Sequence, residues 1–502
     1  MLMHTHMLKL KLKKTVPSRI FASPRFRFLT LLFALVGAQT PALANIGDTF
    51  GFGSRSSALG AASAAWGFDT YSAYFNAAAL AEPTDPQRLK LGVGVLYMSP
   101  QFKPISNVVV ENNYTSDQTT PRSSSVEMDY RAPFGQTLGA SYRLFPELWN
   151  FTLGVTAFLP VEQTAYMDTG EAFIPEYFLY RARLQRPQVA AAFGVKVLPW
   201  LHLGAGFQVG FGLTSTASVF LQTDTNKPST MRFASSLKPK AGPYFSFLIT
   251  PKRSDSAPSK SGDEASALDS QLFTLGGTVR LPIVSNNVMT LRSSARALGN
   301  LAALDFNFGA QSALFYDPLT IELGATFPHW RFGRFYAQVE QQYWSRFEAP
   351  ALQIQDPAIT GCSGACGVTI SPGKNPTFQY KDITVARVGE EVTFGKWTLR
   401  AGYAYRPSIL SDLPTGNGNY LDPARHHWTG GLGYRFDKFL HFDVPCVLDV
   451  HVAYQKLQDQ TVLKTAGDEA GTTTGAAAKI GAPGYEVGGQ LLGGGVSLQL
   501  AF

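Results

Sequence analysis

Apolar and polar positions alternate with a period of two along most of this chain, the pattern of strands with an apolar environment on one face only. Near the start, Leu89, Leu91, Val93, Val95 and Tyr97 oppose Arg88, Lys90, Gly92 and Gly94. At the end, Val496, Leu498, Leu500 and Phe502 oppose Ser497, Gln499 and Ala501, and the run stops on an aromatic residue. A terminal aromatic of this kind is what outer-membrane barrel assembly machinery recognises, so that machinery is an expected partner. Runs of barrel-strand length predict strands near 88–98, 127–144, 150–160, 185–197, 201–222, 231–249, 271–283, 314–327, 332–346, 378–394, 396–407, 425–436, 446–458 and 484–502.

These are fourteen strands, an even number, as closure requires when both termini lie on the periplasmic side. Long polar connections follow the odd strands and mostly short ones the even strands, which makes them extracellular loops and periplasmic turns. The Ser-rich, charged segment 250–270 is the exception and has no explanation in this scheme. Trp149, Trp200, Trp330 and Trp397 all fall at expected periplasmic turns, where an amphipathic ring sits at the membrane interface. The expected fold is therefore all-β: a transmembrane antiparallel β-barrel over 88–502. Hydrocarbon offers backbone groups no partners, so a sheet survives there only when closed. A barrel of this size also encloses a lumen that must be a channel or be plugged.

Residues 1–44 read as a leader: seven Lys/Arg from Lys9 to Arg27 precede the apolar stretch Phe28 to Ala38, then Ala42-Leu43-Ala44, with cleavage expected before Asn45. The apolar stretch is far shorter than the roughly 20 residues of a spanning helix. Removing the leader leaves 36 basic against 36 acidic residues, so the formal charge of +7 gives no reason to expect a nucleic-acid partner. A Gram-negative outer membrane is the expected location, with outer-membrane lipid as a partner and a monomer as the expected state. The segment outside the leader has six histidines, no G-x-S-x-G elbow and no HExxH motif, so an enzyme, a metal centre or a cofactor is not expected.

Residues 45–87 do not alternate. They contain the run Gly51 to Gly60, small residues through Ala65, and Tyr71 to Leu80. Too compact and apolar for a solvated tail, this segment is expected to plug the lumen; a periplasmic extension is the alternative. Gly53, Arg55, Leu59, Gly60, Asp69, Asn76 and Leu80 are its expected structural residues.

At this point the chain resembles the FadL/TodX-type outer-membrane transporters of long-chain fatty acids and aromatic hydrocarbons. Gly53 to Ala61 is similar to the family's opening G-S-R-x-x-A-L-G-G-A, and Asp69 to Leu80 to its D-x-x-A-x-x-x-N-P-A-x-L block, with Ala77 where the family usually has Pro. Tyr343-Trp344-Ser345-Arg346-Phe347, Trp397 to Tyr403, Asp422 to Trp428 and Gly433-Tyr434-Arg435-Phe436 follow in the family's order. The resemblance implies a barrel blocked by an N-terminal hatch, which takes hydrophobic substrates from an extracellular apolar groove to an interior pocket. It further implies that the hatch shifts and the substrate leaves sideways into the bilayer, with no energy source.

Alternation places Arg400, Arg406, Arg435, Asp449 and His451 on the inward faces of three successive strands. They form either an interior ion-pair network that holds the plug or, through Arg400 or Arg435, a contact to a substrate carboxylate. In the second extracellular loop, Tyr166, Phe173, Tyr177, Phe178 and Tyr180 either collect a hydrophobic substrate or pack on one another. Cys362 and Cys366 are a disulfide candidate closing a short loop, leaving Cys446 unpaired. The leading expectation is passive, plug-gated uptake of hydrophobic small molecules. A general diffusion porin for polar solutes, or a structural or adhesive barrel, is the alternative.

Overall fold

Alternation becomes a wall because each strand turns one set of side chains to lipid and the other to the lumen, and backbone pairing closes the ring. The computed structural model describes residues 52–66, 69–82, 87–109, 123–126, 130, 132–145, 150–161, 175, 177, 187–222, 230–251, 272–296, 304–329, 333–347, 353–360, 379–413, 415, 419–439, 443–464 and 484–502. The leader, Trp149, Trp330, Tyr166, Phe173, Phe178, Tyr180, Cys362, Cys366 and nearly all of 250–270 lie outside the described residues.

In chain order the first strands are β1 (Leu89–Phe102), β2 (Ile105–Val109), β3 (Ser123–Val126), β4 (Phe134–Phe145), β5 (Phe151–Pro160), β6 (Gln188–Leu198), β7 (Leu201–Gln222), β8 (Thr230–Ile249) and β9 (Thr274–Arg280). They are followed by β10 (Ile283–Arg296), β11 (Leu304–Asp317), β12 (Leu319–His329), β13 (Gly333–Tyr343), β14 (Gln353–Thr360), β15 (Ile383–Phe394), β16 (Trp397–Arg406), β17 (Arg425–Phe436), β18 (Cys446–Leu463) and β19 (Gly484–Ala501). The barrel consists of β1, β4 to β9, β12, β13 and β15 to β19, fourteen strands in all. Each pairs antiparallel with the next, and β19 closes on β1 with Val496 opposite Val95. The terminal Phe502 seals this seam: its carbonyl accepts from the Arg88 and Leu89 N–H groups, and its N–H donates to Leu89.

Outward positions of these strands carry Val93, Val95, Leu153, Phe193, Leu203, Phe245, Leu323, Val388, Leu399, Leu432 and Val450, all exposed in the isolated chain and suited to hydrocarbon. Trp200 sits in the β6–β7 turn and Trp397 opens β16, packed against Tyr434 at 4.4 Å, as interface rings should. No helix among the described residues is long and apolar enough to cross a membrane.

Several boundaries differ from the sequence reading. The strand expected at 314–327 is two elements: Pro318, without an N–H to donate, separates β11 from the wall strand β12. The run expected at 127–144 pairs with the wall only from Phe134, that at 378–394 only from Ile383, and that at 332–346 ends at Tyr343 in a short helical turn, Trp344–Arg346. The connections expected to be extracellular loops hold strands of their own. The β2–β3 hairpin follows β1, and β10, β11 and β14 form a side sheet. There β10 runs parallel to the outer half of β7, from Asn287 opposite Leu213 to Arg296 opposite Gln222, and β11 links it to β14.

Candidate functional site

Inside this wall the N-terminal segment forms α1 (Ser54–Ala58), α2 (Ser72–Phe75) and a 3-10 turn, Ala77–Ala81. None is long enough to be stable alone, so the segment takes its shape from the lumen. Every described residue from 52 to 82 is buried except Arg55, which is half-buried. The barrel fits the plug through glycines on its inner face. A Cβ on Gly402 of β16 would collide with the backbone of Leu59 and Gly60, and one on Gly204 of β7 with that of Ala77 and Ala78. Gly431 faces Ala58 in the same way, while Gly433 faces the side chains of Arg400 and Asp449.

Polar contacts hold the plug from all around the wall. Thr429 Oγ donates to the Ala58 carbonyl (2.9 Å) and accepts from the Gly60 N–H (3.0 Å), while Ser497 accepts from Ser54 (3.1 Å). Gln338 accepts from Ala64 (2.9 Å), and Ser246 from Ala78 (2.9 Å). On β9, Arg280 pairs with Glu322 (2.8 Å), donates to the Tyr74 and Phe75 carbonyls, and lies between the rings of Tyr74 and Tyr244. Tyr244 in turn donates to the Ala73 carbonyl.

The strongest contact is a chain of charges. Arg55 meets Glu391 of β15 with two parallel bonds of 3.0 and 2.8 Å, the fork geometry in which guanidinium binds carboxylate best. Glu391 also accepts from Arg400 at 2.6 Å, and Arg400 donates to Asp449 at 2.6 Å. The Arg55 guanidinium lies 3.9 Å over the Trp66 ring, whose edge meets Tyr336. Two arginines and two carboxylates thus alternate in sign, Arg55 from the plug and Glu391, Arg400 and Asp449 from the wall, each charge facing an opposite one.

Of the expected plug residues, Gly53 and Gly60 have positive φ (74° and 65°), which their lack of Cβ permits. Leu59 packs with Ala62, Trp66 and Tyr336. Leu80 lies against Gly154 on β5. Asp69 caps its own turn by accepting from the Tyr71 N–H, and burial pushes its carboxyl up to about 6 against the pull of Arg55. Asn76 caps the 3-10 turn: its side-chain oxygen accepts from Ala78 (3.0 Å) and its amide donates to the carbonyls of Ala64 (2.6 Å) and Phe247 (3.0 Å). Asn76→Ala is expected to weaken plug docking by about 1–3 kcal/mol through the orphaned buried carbonyls and N–H. The check is a lower urea concentration at which protease cleaves the plug in the folded barrel.

The residues of the expected lumen network stand at different positions along the wall strands. Arg400 and Asp449 belong to the charge chain above, but Arg406, six positions along β16, pairs with Asp422 at 2.9 Å at the end of that strand. Arg435 lies half-buried on the lumen face at the opposite end of β17, and His451 is buried beside Asp449 with its ring against Gly495. Glu391, Arg280 and Glu322 were not anticipated, although alternation along β9, β12 and β15 points each of them inward.

Above the plug an apolar cluster lies beside buried polar groups such as Arg406, Asp422 and Arg425. One connected cluster runs from Phe52, Tyr74 and Phe75 in the plug through Leu96, Met98 and Phe158 on the wall to Tyr485, Val487 and Leu491 at the outer end of β19. Tyr177 sits in that outer end, fully buried, stacked on Phe102 at 4.2 Å, and its hydroxyl exchanges hydrogen bonds with the backbone of Gly488. A second aromatic group, Tyr316, Trp344, Phe347 and Tyr380, joins the same cluster.

No protein-family model and no curated protein matches the sequence. Solved structures do share the architecture. A FadL homologue from Pseudomonas aeruginosa aligns over 92% of this chain and 99% of its own with a TM-score of 0.51 at 13% identity, and this chain has its fold. The toluene transporter TodX from P. putida aligns over 90% and 99% with a TM-score of 0.49 at 14% identity.

Proposed function

We propose that this chain, built on the fold of the FadL homologue, is a FadL/TodX-type outer-membrane channel. It takes up hydrophobic small molecules, long-chain fatty acids or aromatic hydrocarbons, passively and under control of the plug. The observation that carries this reading is the connected apolar cluster from Tyr177 and Leu491 at the outer end down to Phe52 and Phe75 in a lumen otherwise filled by the plug. An alkyl chain or aromatic ring gains about 0.8 kcal/mol per buried CH₂ along that cluster. Arg400 is engaged by two carboxylates, Glu391 and Asp449, which favours a structural role over contact with a substrate carboxylate.

Passive transport then needs only that the plug yield locally, since a solute gradient supplies the direction. Cells expressing the chain are expected to accumulate radiolabelled oleate or toluene saturably, several-fold above cells without it. Proteoliposomes containing it are expected not to swell in isotonic arabinose. Rapid swelling with no gain in hydrophobic uptake would make the protein a diffusion porin instead.

A further inference from the structure

On the outer wall, one row of direct cross-strand partners runs Tyr405, His426, Lys456, Gln490 and Gln101 across β16, β17, β18, β19 and β1. All five side chains carry hydrogen-bonding groups. The row beneath begins Tyr403, Trp428, Tyr454, and its rings lock onto the first. The Tyr403 hydroxyl and His426 Nδ1 are 2.8 Å apart, and Trp428 stacks between His426 (5.6 Å) and Tyr454 (5.7 Å). Tyr454 donates to Gln490 (3.2 Å), which donates to Gln101 (2.8 Å). At the rim, Lys103 pairs with Asp459 (3.1 Å) and approaches Glu486 (3.8 Å), and Lys456 approaches Asp459 (3.8 Å).

Tyr405 lies eight positions beyond Trp397 of the periplasmic girdle, about 20 Å higher at ~3.4 Å per residue and a tilt of ~40°. That is the level at which the outer leaflet's headgroups meet its acyl chains. A general aromatic belt would repeat around the barrel. On the opposite side, the row at a similar distance beyond Trp200 across β5 to β8 is Ala157, Val189, Val209, Ala241, entirely aliphatic.

We propose that this face binds a phosphorylated glycolipid of the outer leaflet, its sugar–phosphate head on the Tyr405–Gln101 row and its acyl chains along Leu432, Val452, Val496 and Val95 below. Aromatic planes receive the apolar faces of sugar rings, the amides and hydroxyls meet their O–H groups, and Lys456 and Lys103 meet phosphate. Asp459 and Glu486 balance the two lysines, so the face selects by sugar contact with a phosphate added and not by charge alone. The inference rests on the outer-membrane placement proposed above and is independent of what crosses the lumen.

The test uses the intact protein in detergent, titrated with bisphosphorylated lipid A and, separately, with phosphatidylglycerol, with affinity read by native mass spectrometry. Lipid A is expected to bind saturably and at least tenfold more tightly than phosphatidylglycerol. Trp428→Leu and Lys456→Gln are each expected to weaken lipid A about tenfold, while Val209→Ala on the aliphatic side leaves it unchanged. Heat-modifiable mobility on gels verifies that each variant is folded. Equal affinity for the two lipids, or unchanged affinity in both folded variants, overturns the site while leaving the outer-membrane placement intact. Recovery of the native protein from inner-membrane fractions overturns both.

Discussion

Glu391→Ala releases the plug. Glu391 binds both Arg55 of the plug and Arg400 of the wall, so its removal takes a carboxylate from each of two buried guanidiniums. Breaking a buried pair from one side costs about 3–5 kcal/mol, because the remaining charge stays desolvated without its partner. At roughly 1.4 kcal/mol per factor of ten, plug docking weakens by about two to four orders of magnitude. Planar-bilayer recordings of Glu391→Ala are expected to show frequent openings absent from the wild type, in a barrel that still shifts on heating as a folded one does. Glu391→Gln, which keeps the acceptor and loses the charge, is expected to fall between. A Glu391→Ala channel as silent as the wild type would show that the charge chain does not hold the plug.

Gly402→Val is expected to have a comparable effect by a different route. The new side chain would occupy the space of the Leu59 and Gly60 backbone, and Gly60 is itself held at a φ of 65° by its own turn. Overpacking a tight contact costs about 1–3 kcal/mol when side chains can move aside, and more where the obstruction is backbone. The plug is therefore expected to be displaced and the conductance to rise. Gly430→Val supplies the control: its Cβ would meet nothing closer than the Arg400 carbonyl at 3.8 Å and would point to lipid, so the same change one strand away should leave the channel closed. Equal conductance in the two variants would contradict the close-packed plug.

The wall was legible in the sequence for a physical reason. Each wall strand has a face in hydrocarbon, so Leu89 to Tyr97 or Val496 to Phe502 declare themselves by apolar period, and the ring of fourteen follows in order. Beyond the bilayer that contrast disappears. β10 (Ile283–Arg296) and β14 (Gln353–Thr360) have no apolar face to advertise, and β14 contains Pro357, so they read as loops. The plug was visible because small residues without alternation need a cavity to fill.

Its latch was not. Glu390 and Glu391 are adjacent, so composition alone does not say which one enters the lumen, and Arg55 meets its partner across 336 residues of chain. Alternation also assigns a face without a height. Arg400 and Arg406 share a face but stand six residues, or roughly 16 Å, apart along the barrel axis, which is why one reaches the plug-bound carboxylate Glu391 and the other Asp422.

The central claim is that residues 45–85 fill the lumen and form the floor of the hydrophobic path. The most direct measurement is single-channel conductance of the barrel lacking this segment beside the intact protein, with oleate uptake measured on the same pair. The account predicts an intact protein that conducts ions poorly, a truncated barrel with large steady conductance, and loss of saturable oleate uptake. A truncated barrel that folds, conducts no better than the intact chain and still takes up oleate would contradict it.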